Sequence, residues 1–104
     1  MKVIGVGIAG LGNVGSEVVR LLLSRGADFR RTLGAELKLS VVCDRGVSAA
    51  ARKLEIPSSV RRSRRAQDLV ARNDVDIVVE LLGGMDGARA LVLSALAKGK
   101  RVVT

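Results

Sequence analysis

The sequence predicts an α/β domain with a parallel sheet, because strand-like and helix-like segments alternate along the whole chain. The first strand-like segment is a short apolar run followed directly by a glycine-rich turn, as in strands that are buried on both faces. Hydrophobic residues make up 48% of the 104 residues, which supports one core. We therefore expect a single domain of three layers, in which helices cover both faces of the sheet.

Each predicted strand is a short apolar run that ends at polar or glycine residues. The runs cover residues 3–9, 37–43 and 76–82, with a further strand starting at residue 101. The second run ends at Asp44 and the third at Gly83, and both are residue types that commonly end a strand. The sequence thus predicts parallel strands joined by right-handed crossovers.

Helices are predicted where the apolar period changes to that of a helix: residues 13–25, 47–54, 64–73 and 88–96. In the first helix, Val14, Val18, Leu21 and Leu22 have the spacing of one buried face. Gly26 stands where that helix should stop, and residues 27–36 are predicted as a helical extension or an ordered loop.

Composition excludes several classes of chemistry. The chain has no His, Tyr or Trp, so it lacks the commonest general base and the commonest metal ligand. Its single cysteine, Cys43, cannot form an internal disulfide, and no metal site is predicted. No apolar run reaches the ~18 residues of a membrane span, and no signal peptide is recognised. We expect a cytoplasmic protein with no membrane partner.

The chain is basic, with a net charge of +8, and four arginines lie close together: Arg61, Arg62, Arg64 and Arg65. Such a cluster can bind nucleic acid or a phosphate group. Modules for single-stranded nucleic acid usually add aromatic residues for stacking, and Phe29 is the only aromatic residue here. A solvated arginine face is therefore the favoured interpretation, without a nucleic-acid partner.

The most informative motif is G-L-G-N-V-G, which lies between the first predicted strand and the first predicted helix. Gly10 permits the tight turn, Gly12 lets a diphosphate approach the backbone, and Gly15 allows close packing of helix on strand. The diphosphate is expected near the free N–H groups of Asn13 and Val14. The motif in this context predicts a Rossmann-type, doubly wound domain that binds a dinucleotide.

The end of the second strand should face the adenosine ribose. Asp44 stands there, although further from the glycine motif than the ~20 residues usual; alternatively it only caps the next helix. Its carboxylate favours NAD, whereas Arg45 and the arginine cluster could pair with the 2′-phosphate of NADP. The residues leave both cofactors open.

Gly83 and Gly84 follow the third predicted strand, at the edge of the sheet where ligands bind in this fold. They could let backbone approach the ribose on the nicotinamide side, or form a purely structural turn. Glu80, within that strand, needs a hydrogen-bond partner if it is buried and is assigned a structural role.

Three stretches resemble the N-terminal cofactor domain of homoserine dehydrogenases: V-G-I-A-G-L-G-N-V-G-S at 6–16, D-I-V-V-E-L-L-G-G at 76–84 and A-L-A-K-G-K-R-V-V-T at 95–104. That family interconverts aspartate 4-semialdehyde and L-homoserine with NADH or NADPH, on the route to threonine, methionine and isoleucine. The resemblance implies that the glycine motif holds the diphosphate and that Asp44 and Arg45 face the adenosine ribose. It places Gly83, Gly84 and Thr104 beside the nicotinamide half.

In the family, V-V-T continues into Ala-Asn-Lys and then into a dimerisation and substrate domain that carries the reacting Asp and Lys. The resemblance therefore implies that residues 1–104 are a cofactor domain, incomplete at its C-terminus and without catalytic residues of its own. Such a chain binds a dinucleotide without turning over homoserine, and its parent enzyme is a homo-oligomer through the later domain. The alternatives are a regulatory nucleotide-sensing domain, or the N-terminal half of another amino-acid or semialdehyde dehydrogenase.

Overall fold

Five strands and five helices form the part of the chain that the structure, a computed structural model, describes: residues 1–83 and 87–104. The strands are β1 (Lys2–Ala9), β2 (Ala35–Cys43), β3 (Arg61–Ser63), β4 (Ile77–Glu80) and β5 (Arg101–Val103). The helices are α1 (Asn13–Ser24), α2 (Gly26–Leu33), α3 (Val47–Lys53), α4 (Gln67–Ala71) and α5 (Gly87–Ala97).

The strands form one sheet in the order β3-β2-β1-β4-β5, and every neighbouring pair is parallel. Two hydrophobic clusters separate the layers. One packs α1 and α3 on one face of the sheet, around Ile8 and Val19. The other packs α4 and α5 on the opposite face, around Leu69 and Leu91. The predicted α/β class, with a doubly wound parallel sheet in three layers, is confirmed.

The structure corrects the secondary structure predicted for residues 61–76. A strand that was not predicted, β3, precedes the run predicted as the third strand, which is therefore β4. The helix predicted over 64–73 is limited to Gln67–Ala71. Strand β3 has only three residues, arginines among them, so its sequence lacks the apolar alternation that predicts a strand.

The end of α1 agrees with the prediction. Helix α1 ends at Ser24, with Arg25 as its C-cap, directly before Gly26, and a separate helix begins at Gly26 itself. Arg25, between the two helices, has a non-helical backbone that turns the chain. Of the two alternatives left open for residues 27–36, the helical one is correct as far as Leu33.

The buried face of α1 also differs from the predicted one. Val14 and Leu21, predicted to be buried, are 62% and 48% exposed, whereas Gly15 and Val19 are buried. Val18 and Leu22 are half-buried against the same cluster. The hydrophobic spacing identified the helix, but close backbone contact at Gly15 determines which side of it faces the sheet.

None of the helices in residues 1–83 and 87–104 has the length and apolar character required to cross a membrane.

Candidate functional site

The carboxyl ends of β1, β2 and β4 meet at one edge of the sheet and border a cavity of about 610 Å³. From β1 the chain proceeds outward through β2 to β3, and it then crosses to the other side of β1 to form β4. Ligands of doubly wound sheets bind at such a reversal of strand order. The residues that line the 610 Å³ cavity are Gly10, Gly12, Cys43, Asp44, Arg45, Arg64, Ala66, Leu81, Leu82, Gly83 and Gly87.

The three glycines of the motif have different surroundings. Gly10 has a φ of +101°, and a Cβ there would lie 2.2 Å from the carbonyl oxygen of Leu81. A Cβ on Gly15 would lie 1.9 Å from the carbonyl oxygen of Gly10, so helix and turn are in close backbone contact. A Cβ on Gly12 would meet nothing within 4 Å. Two glycines are therefore needed for packing, and the third leaves open space.

That open space lies at the N-terminus of α1. Gly12 is the N-cap, no side chain caps the helix, and no acidic residue occupies its first turn. The Ser16 N–H donates to the Gly12 carbonyl at 2.9 Å, which closes the first helical turn. The preceding N–H groups, including those of the exposed Asn13 and Val14, have no partner within a helix and point outward from its end. This arrangement suits an anion.

Asp44 holds two backbone segments together. Its Oδ2 accepts a hydrogen bond from the N–H of Leu11, in the glycine turn, at 2.7 Å. Its Oδ1 accepts one from the N–H of Gly46 at 2.9 Å, just before α3. The Oδ1 bond closes a local turn and does not cap α3, whose N-cap Gly46 has no side-chain cap hydrogen bond, while Oδ2 fixes the glycine turn. A carboxylate has about four lone-pair sites, so both oxygens can still accept ligand hydroxyls.

The arginine cluster is not a single face. Arg64 lines the cavity together with Arg45, whereas Arg61 and Arg62 line a separate cavity of about 250 Å³ beside α4. Arg62 also donates hydrogen bonds to backbone carbonyls of the α3–β3 loop. Sequence proximity alone could not separate these roles.

The residues predicted beside the nicotinamide half have different positions. Gly83 lines the cavity, and Gly84 lies outside the described residues. Thr104 is exposed just after β5, two strands away from β1, and is not among the lining residues. Glu80 is half-buried, and its Oε2 accepts a hydrogen bond from the Leu82 N–H at 2.7 Å, which gives it the structural partner it needs.

Five lining residues were not among the site residues predicted from the sequence: Cys43, Ala66, Leu81, Leu82 and Gly87. Three of them directly adjoin predicted site residues or a strand end, which is the signal that could have identified them. Burial, together with the smaller effect of the negative charges of Asp44 and Asp68, raises the pKa of the Cys43 thiol to about 11. Cys43 is therefore a neutral part of the cavity wall near neutral pH, not a nucleophile.

Comparisons with known proteins agree on one family. The sequence profile of the homoserine dehydrogenase NAD-binding domain matches residues 10–104. The chain is 42% identical to the homoserine dehydrogenase of Mycobacterium tuberculosis, over 99% of this chain and 22% of that protein. It is 38% identical to that of Neisseria gonorrhoeae, over 100% of this chain and 23% of that protein.

Solved structures give the same answer for the fold. A crystal structure of Staphylococcus aureus homoserine dehydrogenase superposes with a TM-score of 0.86 at 27% identity, over 98% of this chain and 25% of that one. The chain thus spans about a quarter of the length of the relatives it matches. With the strand–glycine turn–helix unit and the cavity beside it, these similarities show that the chain belongs to the homoserine dehydrogenase family, as its NAD-binding domain.

Proposed function

We propose that residues 1–104 serve as the cofactor domain of an enzyme that interconverts aspartate 4-semialdehyde and L-homoserine. The observation that carries most of this proposal is the open space at Gly12, beside the uncapped N-terminus of α1 and at the rim of the 610 Å³ cavity. A diphosphate fits such a place because backbone N–H groups can reach it and no Cβ intervenes.

The residues of the glycine turn have distinct roles in this proposal. Gly12 lets the diphosphate come close to the backbone, and the N–H groups of Asn13 and Val14 bind the diphosphate oxygens. Gly10 and Gly15 keep the turn and the helix in contact, since a Cβ at either position would lie too close to a backbone carbonyl oxygen. The bound cofactor would supply the hydride as NADH or NADPH and accept it as NAD or NADP, and this chain binds and orients the cofactor.

The two ends of the dinucleotide are assigned to different strand ends. Asp44 accepts hydrogen bonds from the adenosine ribose while its backbone contacts hold the turn in place. Arg45 borders the same ribose. Gly83, Gly84 and Thr104 are assigned to the nicotinamide half, as the family resemblance implies.

No residue of this chain is assigned to proton or hydride transfer. In relatives, which are about four times longer, the resemblance places the reacting Asp and Lys, the substrate contacts and the dimer contacts in the later domain. We accordingly propose that the whole enzyme is a cytoplasmic homo-oligomer. The 104-residue chain by itself binds the cofactor and does not turn over homoserine.

Calorimetric titration with NADH and NADPH tests the proposal, since a chain without Trp or Tyr gives almost no fluorescence signal of its own. Wild-type chain is expected to bind at least one of the two. Gly12→Val is expected to abolish binding of both, because its side chain fills the space assigned to the diphosphate. Helical content and melting temperature should change little, since that space contains no protein atom within 4 Å of the new Cβ.

Gly26→Val provides the matched control. A Cβ there would meet only the end of the Arg30 side chain, at 3.6 Å, and α2 does not line the 610 Å³ cavity. This variant should bind as the wild type does. Undiminished binding by a folded Gly12→Val chain would refute the assignment of the diphosphate site.

A further inference from the structure

Glu80, the last residue of β4, fixes the backbone that follows its own strand. The residue is half-buried at the carboxyl edge of the sheet, where its register partner is Ala9, the last residue of β1. Its Oε2 accepts a hydrogen bond from the Leu82 N–H at 2.7 Å. The carboxylate therefore holds the peptide unit between Leu81 and Leu82, at the point where the chain leaves β4 beside the glycine turn.

That peptide unit also lies against the glycine turn. The Leu81 carbonyl and the Leu82 N–H belong to the same unit, which is planar and rotates as one body. A Cβ on Gly10 would lie 2.2 Å from the Leu81 carbonyl oxygen and 3.1 Å from the Leu82 nitrogen. The Leu81 N–H donates to the Ala9 carbonyl at 2.8 Å, which anchors the preceding peptide unit on β1. A change in the orientation of the Leu81–Leu82 peptide would therefore move atoms that contact Gly10.

The same segment forms the wall of the cavity beyond β4. Leu81, Leu82 and Gly83 line the 610 Å³ cavity, and Gly83 has a φ of +70°, so the backbone turns there. Glu80 is not a lining residue, and its carboxylate acts on the cavity through the peptide that it holds. Asp44 has the corresponding position at the end of β2, where it holds the glycine turn directly. The turn is thus held from both of the strands that flank β1.

From these contacts we infer that Glu80 is a positioning residue for the cofactor. Its carboxylate holds the Leu81–Leu82 peptide in the orientation in which the wall beyond β4 receives the half of the dinucleotide that extends past the diphosphate. The inference rests on the proposed function, which assigns the nicotinamide half to this end of the cavity. ADP ends at the diphosphate, so its binding depends on the end of β2 and on the glycine turn and does not use this wall.

The size of the effect follows from the bond that is lost. Without the carboxylate, the Leu82 N–H has no fixed acceptor, and the peptide unit adopts other orientations. Dinucleotide affinity then falls in proportion to the fraction of molecules whose wall has the binding orientation. Loss of one charge-assisted hydrogen bond changes such an equilibrium by roughly 10- to 100-fold, and water at this edge of the sheet replaces part of the bond, so we expect the lower figure.

The test is calorimetric titration of the wild-type, Glu80→Ala and Glu80→Gln chains with NADH, NADPH and ADP. Glu80→Ala is expected to weaken dinucleotide binding by roughly 10-fold and ADP binding by less than about 3-fold. Glu80→Gln retains an oxygen that accepts the Leu82 N–H, so its dinucleotide affinity should stay within about 3-fold of wild type. Glu80→Met preserves the length of the side chain without an oxygen acceptor, and it replaces Glu80→Ala in the comparison should the alanine variant fail to fold.

Asp76→Ala provides the matched control. The Asp76 Oδ2 accepts a hydrogen bond from the Gly5 N–H at 2.8 Å, which is the same kind of contact at the opposite end of β4. Asp76 does not line the 610 Å³ cavity. Urea unfolding should show that both alanine variants lose stability, whereas Asp76→Ala should bind the dinucleotides and ADP within about 3-fold of wild type.

Each other outcome overturns the inference in a recognisable way. A folded Glu80→Ala chain with wild-type dinucleotide affinity would show that the wall does not need the carboxylate. An equal loss of ADP and dinucleotide binding, or an equal loss in Glu80→Ala and Asp76→Ala, would show general damage to the fold. Glu80→Gln binding as weakly as Glu80→Ala would show that the hydrogen-bond acceptor is not what matters. In all of these cases the proposed function stands, whereas a folded wild-type chain that binds neither NADH nor NADPH would refute the proposed function itself.

Discussion

Asp44→Ala offers the most direct test of how the glycine turn is held. The change removes both oxygens that accept the N–H groups of Leu11 and Gly46. Leu11 is 7% exposed, so water cannot easily replace the lost acceptor on its N–H. Gly46 is exposed, and its N–H can turn to water. The two bonds should therefore differ in how much their loss destabilises the fold.

The magnitude follows from those two environments. Leaving a buried donor unsatisfied costs about 1–3 kcal/mol, and losing an exposed hydrogen bond costs about 0.5–1 kcal/mol. We expect Asp44→Ala to lower the free energy of unfolding by about 2–3 kcal/mol. In a domain of this size that corresponds to a fall in melting temperature of roughly 10–20 °C.

Urea unfolding followed by far-ultraviolet circular dichroism measures the change. Asp44→Asn is the matched variant, because its amide retains one acceptor oxygen and should lose about half as much stability. Cofactor should be absent from both samples, so that only the turn is measured. If the free energy of unfolding of Asp44→Ala stayed within about 0.5 kcal/mol of wild type, the carboxylate would not be holding the turn.

Two further predictions concern the same edge of the sheet. Gly15→Ala places a methyl group 1.9 Å from the Gly10 carbonyl oxygen, so the free energy of unfolding, measured by thermal melting, should fall by about 1–3 kcal/mol. A variant as stable as the wild type would contradict the close contact. Alkylation of Cys43 by iodoacetamide should rise with pH toward a midpoint near 11 in the folded chain and near 9 in urea. Because the folded chain holds the thiol proton more tightly than the unfolded chain, this difference stabilises the fold below pH 9, and the stabilisation is lost as pH rises to about 11. Equal alkylation midpoints in the folded and the unfolded chain would refute the raised pKa.

The sequence predicts well those features that depend on local chemistry. The glycine turn between β1 and α1 was identified because the positive φ at Gly10 and the close packing at Gly15 both require glycine near one place in the chain. Asp44 was found for a similar reason, since a strand ending in a carboxylate is a local signal. The fold class followed from the alternation of strand and helix patterns, which averages over errors in single elements.

Features that depend on neighbours in space were missed. Strand β3 exists because β2 offers it hydrogen bonds, and its own residues include two arginines that favour no strand. The buried face of α1 is set by backbone contact at Gly15, so the hydrophobic spacing wrongly placed the exposed Val14 on that face. The separate surroundings of Arg62 and Arg64 likewise result from tertiary contacts that no spacing rule contains.

The uncapped start of α1 has a consequence for the lifetime of the protein in a cell. A Ser, Thr or Asp in place of Gly12 would stabilise the helix by only about a few tenths of a kcal/mol relative to Gly, and its side chain would occupy the space assigned to the diphosphate. In the proposed complex, the dinucleotide supplies the acceptor that no side chain provides. At a concentration 100 times its Kd, a ligand adds about 2.7 kcal/mol to stability. Abundance of this domain should therefore follow the cellular supply of the cofactor, with proteolysis removing the unliganded fraction first.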